Sequence, residues 1–165
     1  VALGDLVANR GPVFYRQTRV GRDHREFTIY KFRTMDHDDS APTDWTAPGD
    51  TRITPFGNLL RRSHLDELPQ MINVLKGDLS IVGPRPEQPR YVDELTAKLP
   101  FYALRHSVRP GLTGWAQVKY GYAGNDDDAL EKLQYEFWYL RHQRLAVDLR
   151  IIARTVRSVI LGDGR

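Results

Sequence analysis

The architecture of this 165-residue chain is indicated most clearly by residues 63–77, which read SHLDELPQMINVLKG. Pro69 belongs in a first helical turn, because deeper in a helix its ring would clash with the preceding turn. This places Asp66 and Glu67 at the entrance of the predicted helix. Gly77 is a typical C-terminal stop, so the helix is expected to end there.

The segment that follows this helix predicts a short strand and a rigid turn. Residues 79–82, Leu-Ser-Ile-Val, have the composition of a buried strand. Gly83 then opens the turn, and Pro84 and Pro86 restrict the backbone on both sides of Arg85. Such restriction reduces the entropy that is lost when the Arg85 side chain binds a phosphate.

Upstream, the sequence predicts a β-hairpin over residues 13–35. Aromatic and β-branched residues lie on both sides of the polar residues 21–24, which is typical of two strands joined by a loop. Alternation along the second strand places Lys31 and Arg33 on one face. The end of this strand is therefore expected to present two cations together.

A loop and a short helix are predicted between the hairpin and residue 63. Residues 36–50 are polar and contain Pro and Gly, as is typical of surface loops that cover substrates. Thr54 followed by Pro55 is a typical helix cap and first-turn pair. The helix that they begin is expected to end near Arg62.

The remaining chain is predicted to be mainly helical. The elements are a helix at residues 87–99, a loop leading into a short strand at 109–118, a loop at 121–128, and helices at 129–144 and 148–161. The last helix has one apolar stripe formed by Leu149, Ile152, Val156, Val159 and Ile160, and another side carrying Arg150, Arg154 and Arg157. This pattern suits both a core helix and an interfacial membrane helix.

These elements predict an α+β fold that is mainly helical, with a small antiparallel β-sheet or hairpin and amphipathic interfacial helices. The length fits one domain over residues 1–165. Hydrophobic residues make up 41% and charged residues 27% of the chain, which is ordinary for a globular protein. No run approaches the roughly 18 apolar residues that span a bilayer, so a soluble or peripheral chain is expected.

The charge balance indicates an anionic partner without specifying its kind. Lys and Arg number 24 against 21 Asp and Glu, which gives a net charge of +3. The absence of cysteine excludes disulfides, thiolate metal sites and a cysteine nucleophile. The sequence also lacks the motifs of P-loop, dinucleotide-binding and serine-hydrolase sites, and its five histidines show no metal-binding spacing.

Asp66 and Glu67 are the first candidates for chemistry, because a helix N-terminus provides a positive field and free N–H groups. Helix capping by Asp66 is the alternative interpretation. The cations that flank turns or element ends are Lys31, Arg33, Arg61, Arg62, Arg85 and Arg109. If several of them converge on the two carboxylates, they form a site for a metal-bound diphosphate; taken singly, each would be a solvated surface charge.

Two other acidic sites allow a metal-binding and a capping interpretation. Residues 126–128 are three consecutive aspartates, but they lack the glycine and distal glutamate of a calcium loop, which favours a cap for the next helix. Asp148 likewise heads a predicted helix, so capping explains it from sequence alone.

The chain contains seven characteristic blocks in a fixed order. They are GPVFYRQTRVG (11–21), KFRTM (31–35), DTRITPFG (50–57), LDELPQ (65–70), NVLKG (73–77), VGPRP (82–86) and PGLTGWAQ (110–117). Together they resemble the bacterial sugar transferase family, the monotopic polyprenol-phosphate phosphoglycosyl transferases. The resemblance extends over residues 11–160, which distinguishes it from a short motif match.

This resemblance implies a two-step transfer with Asp66 as the nucleophile. Its carboxylate attacks the β-phosphate of a UDP-sugar, UMP leaves, and polyprenol phosphate (undecaprenyl phosphate) then accepts the phosphosugar. Glu67 is implied as a metal-positioning or proton-handling group. Pro84, Arg85, Pro86 and Lys31 are implied phosphate-binding residues, with Arg33, Arg61, Arg109 and Gln117 as further substrate-binding candidates.

Mg²⁺ is the implied cofactor, with Asp66, Glu67 and Asp148 as its implied ligands. The resemblance also implies work at the cytoplasmic face of the bacterial inner membrane, in the first membrane step of exopolysaccharide or glycoconjugate synthesis. Family members carry a hydrophobic re-entrant helix before the block at residues 11–21. Only ten residues precede that block here, so an excised catalytic portion, or a member that has lost its anchor, is expected.

Two alternatives remain open at this stage. The first is a basic, non-enzymatic adaptor that binds phosphate-bearing partners, although the chain has no Lys-rich tract and no helix-turn-helix, zinc-finger or RNP signature, so no nucleic-acid partner is expected. The second is a transferase in which the lipid phosphate attacks directly, with no covalent intermediate.

Overall fold

The computed structural model describes residues 12–36, 50–120 and 126–161. Strands β1 (Phe14–Val20) and β2 (Glu26–Phe32) form the predicted antiparallel hairpin, with Phe14 opposite Phe32. A short 3-10 turn joins them at Arg22–His24. Most of the predicted loop at residues 36–50 lies outside the described residues.

Helix α1 (Pro55–Arg62) begins and ends as predicted, and the Thr54 hydroxyl accepts a hydrogen bond from the Gly57 N–H at 2.9 Å. The prediction for Pro69 was wrong in detail. Pro69 lies inside a separate 3-10 helix (Leu65–Gln70) rather than in the first turn of an α-helix. Since proline has no N–H to donate, the tighter 3-10 turn accommodates it before α-helical bonding begins.

Helix α2 (Met71–Lys76) follows directly and ends at Gly77, as predicted. Gly77 has φ +84°, a left-handed conformation that glycine adopts without steric cost. Strand β3 (Ser80–Val82) then pairs in parallel with β4 (Gly111–Thr113). The fold is thus α+β, with a hairpin and a second, parallel strand pair that the sequence did not predict.

The apolar run after β4 was predicted as part of a strand, and this prediction was wrong. Residues Trp115–Lys119 form helix α4 instead, with Gly114 before its first turn. The Val118 N–H donates to the Gly114 carbonyl at 3.2 Å. The helix buries Trp115 and Ala116 on one side, which a short amphipathic helix achieves as well as a strand does.

The C-terminal half is helical, as predicted, with shifted boundaries. Its elements are α3 (Pro89–Lys98), a 3-10 helix (Tyr102–Ser107), α5 (Asp126–Arg141) and α6 (Leu145–Leu161). Helix α5 therefore includes three residues that were predicted as loop. Asp148 lies inside the first turn of α6 rather than ahead of the helix, because the helix begins three residues earlier than predicted.

Two apolar clusters form the core. One consists of Val82, Trp115, Tyr139, Val147 and Ile151, and the other of Val20, Val92, Tyr102 and Leu133. Two residues of the predicted apolar stripe of α6, Leu149 and Val156, are exposed, whereas Ile151, which was not assigned to the stripe, is buried. Within the described ranges, no helix is both long and apolar enough to span a membrane.

Candidate active site

The 3-10 helix and α2 place polar side chains inside and apolar side chains outside. Asp66, Gln70 and Asn73 are buried, and Asn73 is completely inaccessible to solvent. The Asn73 side-chain amide donates to the carbonyl of Thr28 in β2 at 2.7 Å. This bond fixes the acidic segment against the hairpin, so the two carboxylates face the protein interior. The exposed apolar side chains of the same segment are Leu65, Leu68, Met71, Ile72 and Leu75.

Glu67 is the centre of a cationic cluster. Its Oε1 accepts hydrogen bonds from Lys31 Nζ at 2.6 Å and from Arg85 Nη2 at 3.1 Å. Burial on its own would raise the pKa of Glu67, but the charges and hydrogen bonds of Lys31 and Arg85 outweigh it and hold this pKa well below its usual range. Glu67 is therefore anionic and anchors both cations.

Asp66 lies in the opposite environment. Its residue is only 8% exposed, and no hydrogen bond to its carboxylate is formed among the residues that the structure describes. Burial raises the pKa of Asp66, and the neighbouring Glu67 charge adds to this, while Lys31, Arg61 and His64 lower it. Helix capping does not account for Asp66, because His64 occupies the N-cap position and makes no side-chain cap bond.

The turn at Pro84–Pro86 is held through its carbonyl groups. The Pro84 carbonyl accepts from the Gly111 N–H at 2.8 Å, and the Pro86 carbonyl accepts from Arg19 Nη1 at 3.1 Å. The Arg85 carbonyl accepts from Arg105 Nη2 at 2.7 Å. Proline cannot donate a backbone hydrogen bond, so these carbonyl contacts fix the turn that carries the Arg85 side chain to Glu67.

Close backbone contacts also fix this turn. A Cβ on Gly111 would lie 2.1 Å from the Gly83 nitrogen, and a Cβ on Gly114 would lie 2.2 Å from the Gly83 oxygen. Glycine at these positions allows strand β4 to approach the start of the turn. A small recess forms beside them, lined by residues that include Arg85, Gln117 and Glu136.

The structure places the other predicted substrate-binding residues as follows. Arg61 donates from Nε to the Thr34 hydroxyl at 2.8 Å and is close enough to lower the pKa of Asp66. Arg33 donates from Nε to the carbonyl of Pro12 at 2.9 Å. Arg109 is exposed and takes part in none of the ion pairs between described residues. Arg61 is thus placed to act on Asp66.

Gln117 lies beside the proline-flanked turn. Its Nε2 is 3.4 Å from the Leu112 carbonyl, and its buried Oε1 has no hydrogen-bond partner within the described part of the chain. The oxygen lies 3.1 Å from the position that a Cβ on Gly114 would take. Gln117 thus presents an unsatisfied acceptor at the recess that also contains Arg85.

The implied set of metal ligands does not come together. Asp148 accepts a hydrogen bond from the Tyr139 hydroxyl at 2.9 Å. Over residues 12–36, 50–120 and 126–161, no group of three or more acidic or histidine side chains is placed to hold a metal ion. Asp66 and Glu67 alone remain adjacent carboxylate donors.

Sequence reasoning missed three charged residues near this turn. Arg105 and Glu136 form a buried ion pair at 2.7 Å. Burial lowers the pKa of the Lys132 amine, and the nearby Arg85 charge lowers it further. No sequence signal distinguishes them, because Arg105 lies in a predicted loop and the other two lie among the many charged residues of a helix.

Comparisons with known proteins identify the family of this chain. The family model described as "Bacterial sugar transferase" matches residues 1–162. The chain is 45% identical, over 93% of its length, to a UDP-N-acetylgalactosamine-undecaprenyl-phosphate N-acetylgalactosaminephosphotransferase of Aeromonas hydrophila, and 46% identical, over 97%, to a UDP-glucose:undecaprenyl-phosphate glucose-1-phosphate transferase of Xanthomonas campestris pv. campestris. It is also 43% identical, over 93% of its length, to the uncharacterized sugar transferase EpsL of Bacillus subtilis.

These relatives differ in length. The chain spans 37% of the Aeromonas protein, 34% of the Xanthomonas protein and 72% of the Bacillus protein. The family match, at residues 1–162, spans the acidic pair, its cationic partners and the proline-flanked turn of this chain. On the family match over nearly its whole length, the chain belongs to the bacterial sugar transferase family.

Proposed function

We propose that this chain transfers a sugar-1-phosphate from a UDP-sugar to a polyprenol phosphate such as undecaprenyl phosphate, and releases UMP. The relatives act on UDP-N-acetylgalactosamine or UDP-glucose and on undecaprenyl phosphate, as their names state. The observation that carries the proposal is the pair of adjacent carboxylates, of which Glu67 is held by two cations while Asp66 has no hydrogen-bond partner among the described residues.

The first step is attack by an Asp66 oxygen on the β-phosphorus of the UDP-sugar. A bond forms between this oxygen and phosphorus, the bond from the β-phosphorus to the oxygen that bridges both phosphates breaks, and UMP leaves with that electron pair. The carboxylate suits this role because no hydrogen bond from another described residue occupies its lone pairs. A phosphate oxygen of the polyprenol phosphate then attacks the same phosphorus, which frees Asp66 and forms the lipid-linked diphosphate.

Lys31 and Arg85 supply the positive charge that a diphosphate requires. Both contact Glu67, which is the residue next to Asp66, so both cations are in place before any substrate binds. Pre-positioned cations stabilise charge that develops on a phosphate without a reorganisation cost at the moment of reaction. Arg61 adds a third cation, whose charge lowers the pKa of Asp66.

Mg²⁺ fits the oxygen donors of this site, with Asp66 and Glu67 as the residues that would hold it. Magnesium commonly uses one or two carboxylates and completes its shell with water and substrate phosphates, so a site without a third protein ligand agrees with its chemistry. When bound, it neutralises charge on the diphosphate and on the departing UMP. Asp148 is left out of this proposal because its carboxylate bonds to Tyr139.

The exposed apolar side of the 3-10 helix and α2 is proposed to contact the membrane, which is the cytoplasmic face of the bacterial inner membrane. Leu68, Ile72 and Leu75 follow helical spacing and are 50%, 44% and 86% exposed. The same segment carries Asp66 on its inner side, so membrane contact would bring a lipid phosphate to the nucleophile. In this position the chain would start exopolysaccharide or glycoconjugate assembly.

The test is UMP release by the purified chain with Mg²⁺ across a panel of UDP-sugars, with intact mass measured in parallel. The wild-type chain is expected to release UMP and to gain the mass of one phosphosugar, mapped to Asp66. Asp66→Asn should lose both while its circular dichroism and melting temperature remain those of the wild type. Retained UMP release in Asp66→Asn would remove Asp66 from its role.

A further inference from the structure

Arg105 and Glu136 form a buried ion pair that the proposed reaction does not use directly. Arg105 Nε donates to Glu136 Oε2 and Arg105 Nη2 donates to Glu136 Oε1, both at 2.7 Å. The two side chains are only 4% and 6% exposed. Paired, parallel hydrogen bonds of this kind fix the guanidinium plane as well as its position.

The same guanidinium group reaches the phosphate-binding turn. Arg105 Nη2 also donates to the Arg85 carbonyl at 2.7 Å, and Arg105 Nη1 donates to the Tyr102 hydroxyl at 3.1 Å. One side chain therefore connects the 3-10 helix at 102–107, helix α5 and the backbone of Arg85. The Arg85 side chain donates to Glu67.

Stability gives little reason for an ion pair at this position. Removing two charges from water costs several kcal/mol per ion, and well-packed apolar residues of similar volume often stabilise a core equally or better. An apolar pair, however, could not donate a hydrogen bond to the Arg85 carbonyl. The ion pair thus provides what an apolar pair cannot, namely a fixed N–H donor for the Arg85 carbonyl.

We propose that Arg105, oriented by Glu136, is a positioning residue that holds the Arg85 backbone so that the Arg85 guanidinium stays directed at Glu67 and at the bound diphosphate. This inference rests on the proposed function for its kinetic consequence, but its structural consequence is independent of activity. Neither residue touches substrate in this scheme. Each acts through Arg85.

The test combines Glu136→Gln with Arg85→Ala in a double-mutant cycle. Glu136→Gln keeps the side-chain size and removes the charge that orients Arg105. Single-turnover UMP release is expected to fall about 10- to 100-fold in the wild-type background, since small displacements of positioning groups have effects of this size. In the Arg85→Ala background the same substitution should change the rate less than about twofold, because coupled residues are not additive.

Hydrogen–deuterium exchange supplies a readout that needs no catalysis. In Glu136→Gln, the peptide covering residues 83–87 should exchange faster, whereas Leu60→Ala, a buried variant on α1 that lies outside both apolar clusters, should raise exchange only in proportion to its loss of global stability. If Glu136→Gln fails to fold, Arg105→Lys takes its place in this test. Lysine keeps the charge but cannot form the same three-way contact, so the peptide covering residues 83–87 should exchange faster in Arg105→Lys as well.

Losses that multiply in the double variant, or exchange at residues 83–87 that matches the Leu60→Ala control, would overturn the positioning role. Failure of the proposed function gives a different result: the wild-type chain would release no UMP with any UDP-sugar, while the exchange comparison would still report on Arg105 and Glu136.

Discussion

Asp66 and Glu67 show how two neighbouring residues of similar chemistry acquire different properties. Glu67 is held anionic by Lys31 and Arg85, whereas burial raises the pKa of Asp66. Paired acidic groups whose surroundings move their pKa values apart often divide the roles in a reaction. Here Glu67 anchors two cations, and in the proposed reaction Asp66 is the group that attacks phosphorus.

His106 is a second residue whose surroundings change its chemistry. Burial is the main cause that lowers its pKa from 6.5 to about 4, and the charges of Arg105 and His24 contribute, while a hydrogen bond with the Gly21 backbone opposes them. Its ring lies 4.6 Å from that of His24 and meets the Tyr102 ring edge-on. His106 is therefore neutral in the folded protein at neutral pH.

This neutrality predicts a pH-dependent stability. Between pH 6.5 and pH 4 the unfolded chain binds a proton at residue 106 that the folded chain does not, so the free energy of unfolding falls as pH falls. The slope from this residue is at most about 1.4 kcal/mol per pH unit. Urea unfolding of the wild type and of His106→Gln at pH 5.0 and 6.5 measures it.

His142→Gln is the matched control, since His142 stacks on Trp138 away from this cluster. In the control, the free energy of unfolding should depend on pH as in the wild type, whereas His106→Gln should reduce this dependence. Equal slopes in the wild type and in His106→Gln would contradict the assignment.

At the scale of elements, the segment from Leu65 to Lys76 has its polarity reversed relative to an ordinary surface helix. Its buried side carries Asp66, Gln70 and Asn73, and its exposed side is apolar. Contiguous exposed apolar surface on a folded protein marks an interaction site. Because Asp66 and the apolar side belong to one short segment, the proposed membrane contact and the proposed catalysis would be coupled by geometry.

Leu75→Glu tests this apolar surface. Leu75 is 86% exposed, so the substitution should leave the free energy of unfolding almost unchanged. Binding to vesicles of phosphatidylethanolamine and phosphatidylglycerol, measured by flotation, should fall about 10-fold, because a charge replaces an apolar contact and is repelled by anionic lipid. Gln134→Glu adds the same charge on an exposed position of α5 and should bind like the wild type. Equal binding by Leu75→Glu and Gln134→Glu would exclude this surface.

Two glycines of neighbouring elements should respond differently to substitution by alanine. At Gly77 the added methyl group meets open space, and only the left-handed backbone costs energy, about 1 kcal/mol. At Gly111 the methyl group would lie 2.1 Å from the Gly83 nitrogen, so the backbone must move. Gly111→Ala is expected to lower the free energy of unfolding by about 3 kcal/mol.

Chemical denaturation of both glycine variants compares the two costs. Gly111→Ala should also slow UMP release, because the turn that carries Arg85 begins at Gly83. A smaller destabilisation in Gly111→Ala than in Gly77→Ala would show that the contact between β4 and the turn is loose.

At the scale of the whole molecule, the sequence predicted the features with local causes. The cap formed by Thr54 and Pro55, the helix end at Gly77 and the hairpin each depend on residues within one or two turns of chain. The parallel pairing of β3 with β4 depends on segments about 30 residues apart, which no local pattern encodes. The helix at Trp115–Lys119 was mistaken for a strand because a short apolar run fits both.

The residues of the candidate site were likewise predicted where their signal is local and missed where it depends on distant segments. Lys31, Glu67 and Arg85 were selected because they lie at the ends of predicted elements, and the structure brings them together. Arg105 and Glu136 were missed, since 31 residues separate them and each resembles a surface charge in sequence. Buried ion pairs between distant elements become visible only when the chain is folded.

At this scale, we expect the two half-reactions of the chain to be separable in time. If Asp66 forms the covalent intermediate, the chain mixed with a UDP-sugar and Mg²⁺ but no lipid should release about one UMP per protein molecule and then stop, as in other two-step transfers with an acyl- or phosphoryl-enzyme. Adding undecaprenyl phosphate in mixed micelles should restart UMP release, because the lipid phosphate removes the phosphosugar from Asp66. Quenched-flow measurement of UMP with and without lipid distinguishes the mechanisms. No burst without lipid, followed by turnover with it, would favour direct attack by the lipid phosphate, whereas steady UMP release without any lipid would show that water accepts the phosphosugar.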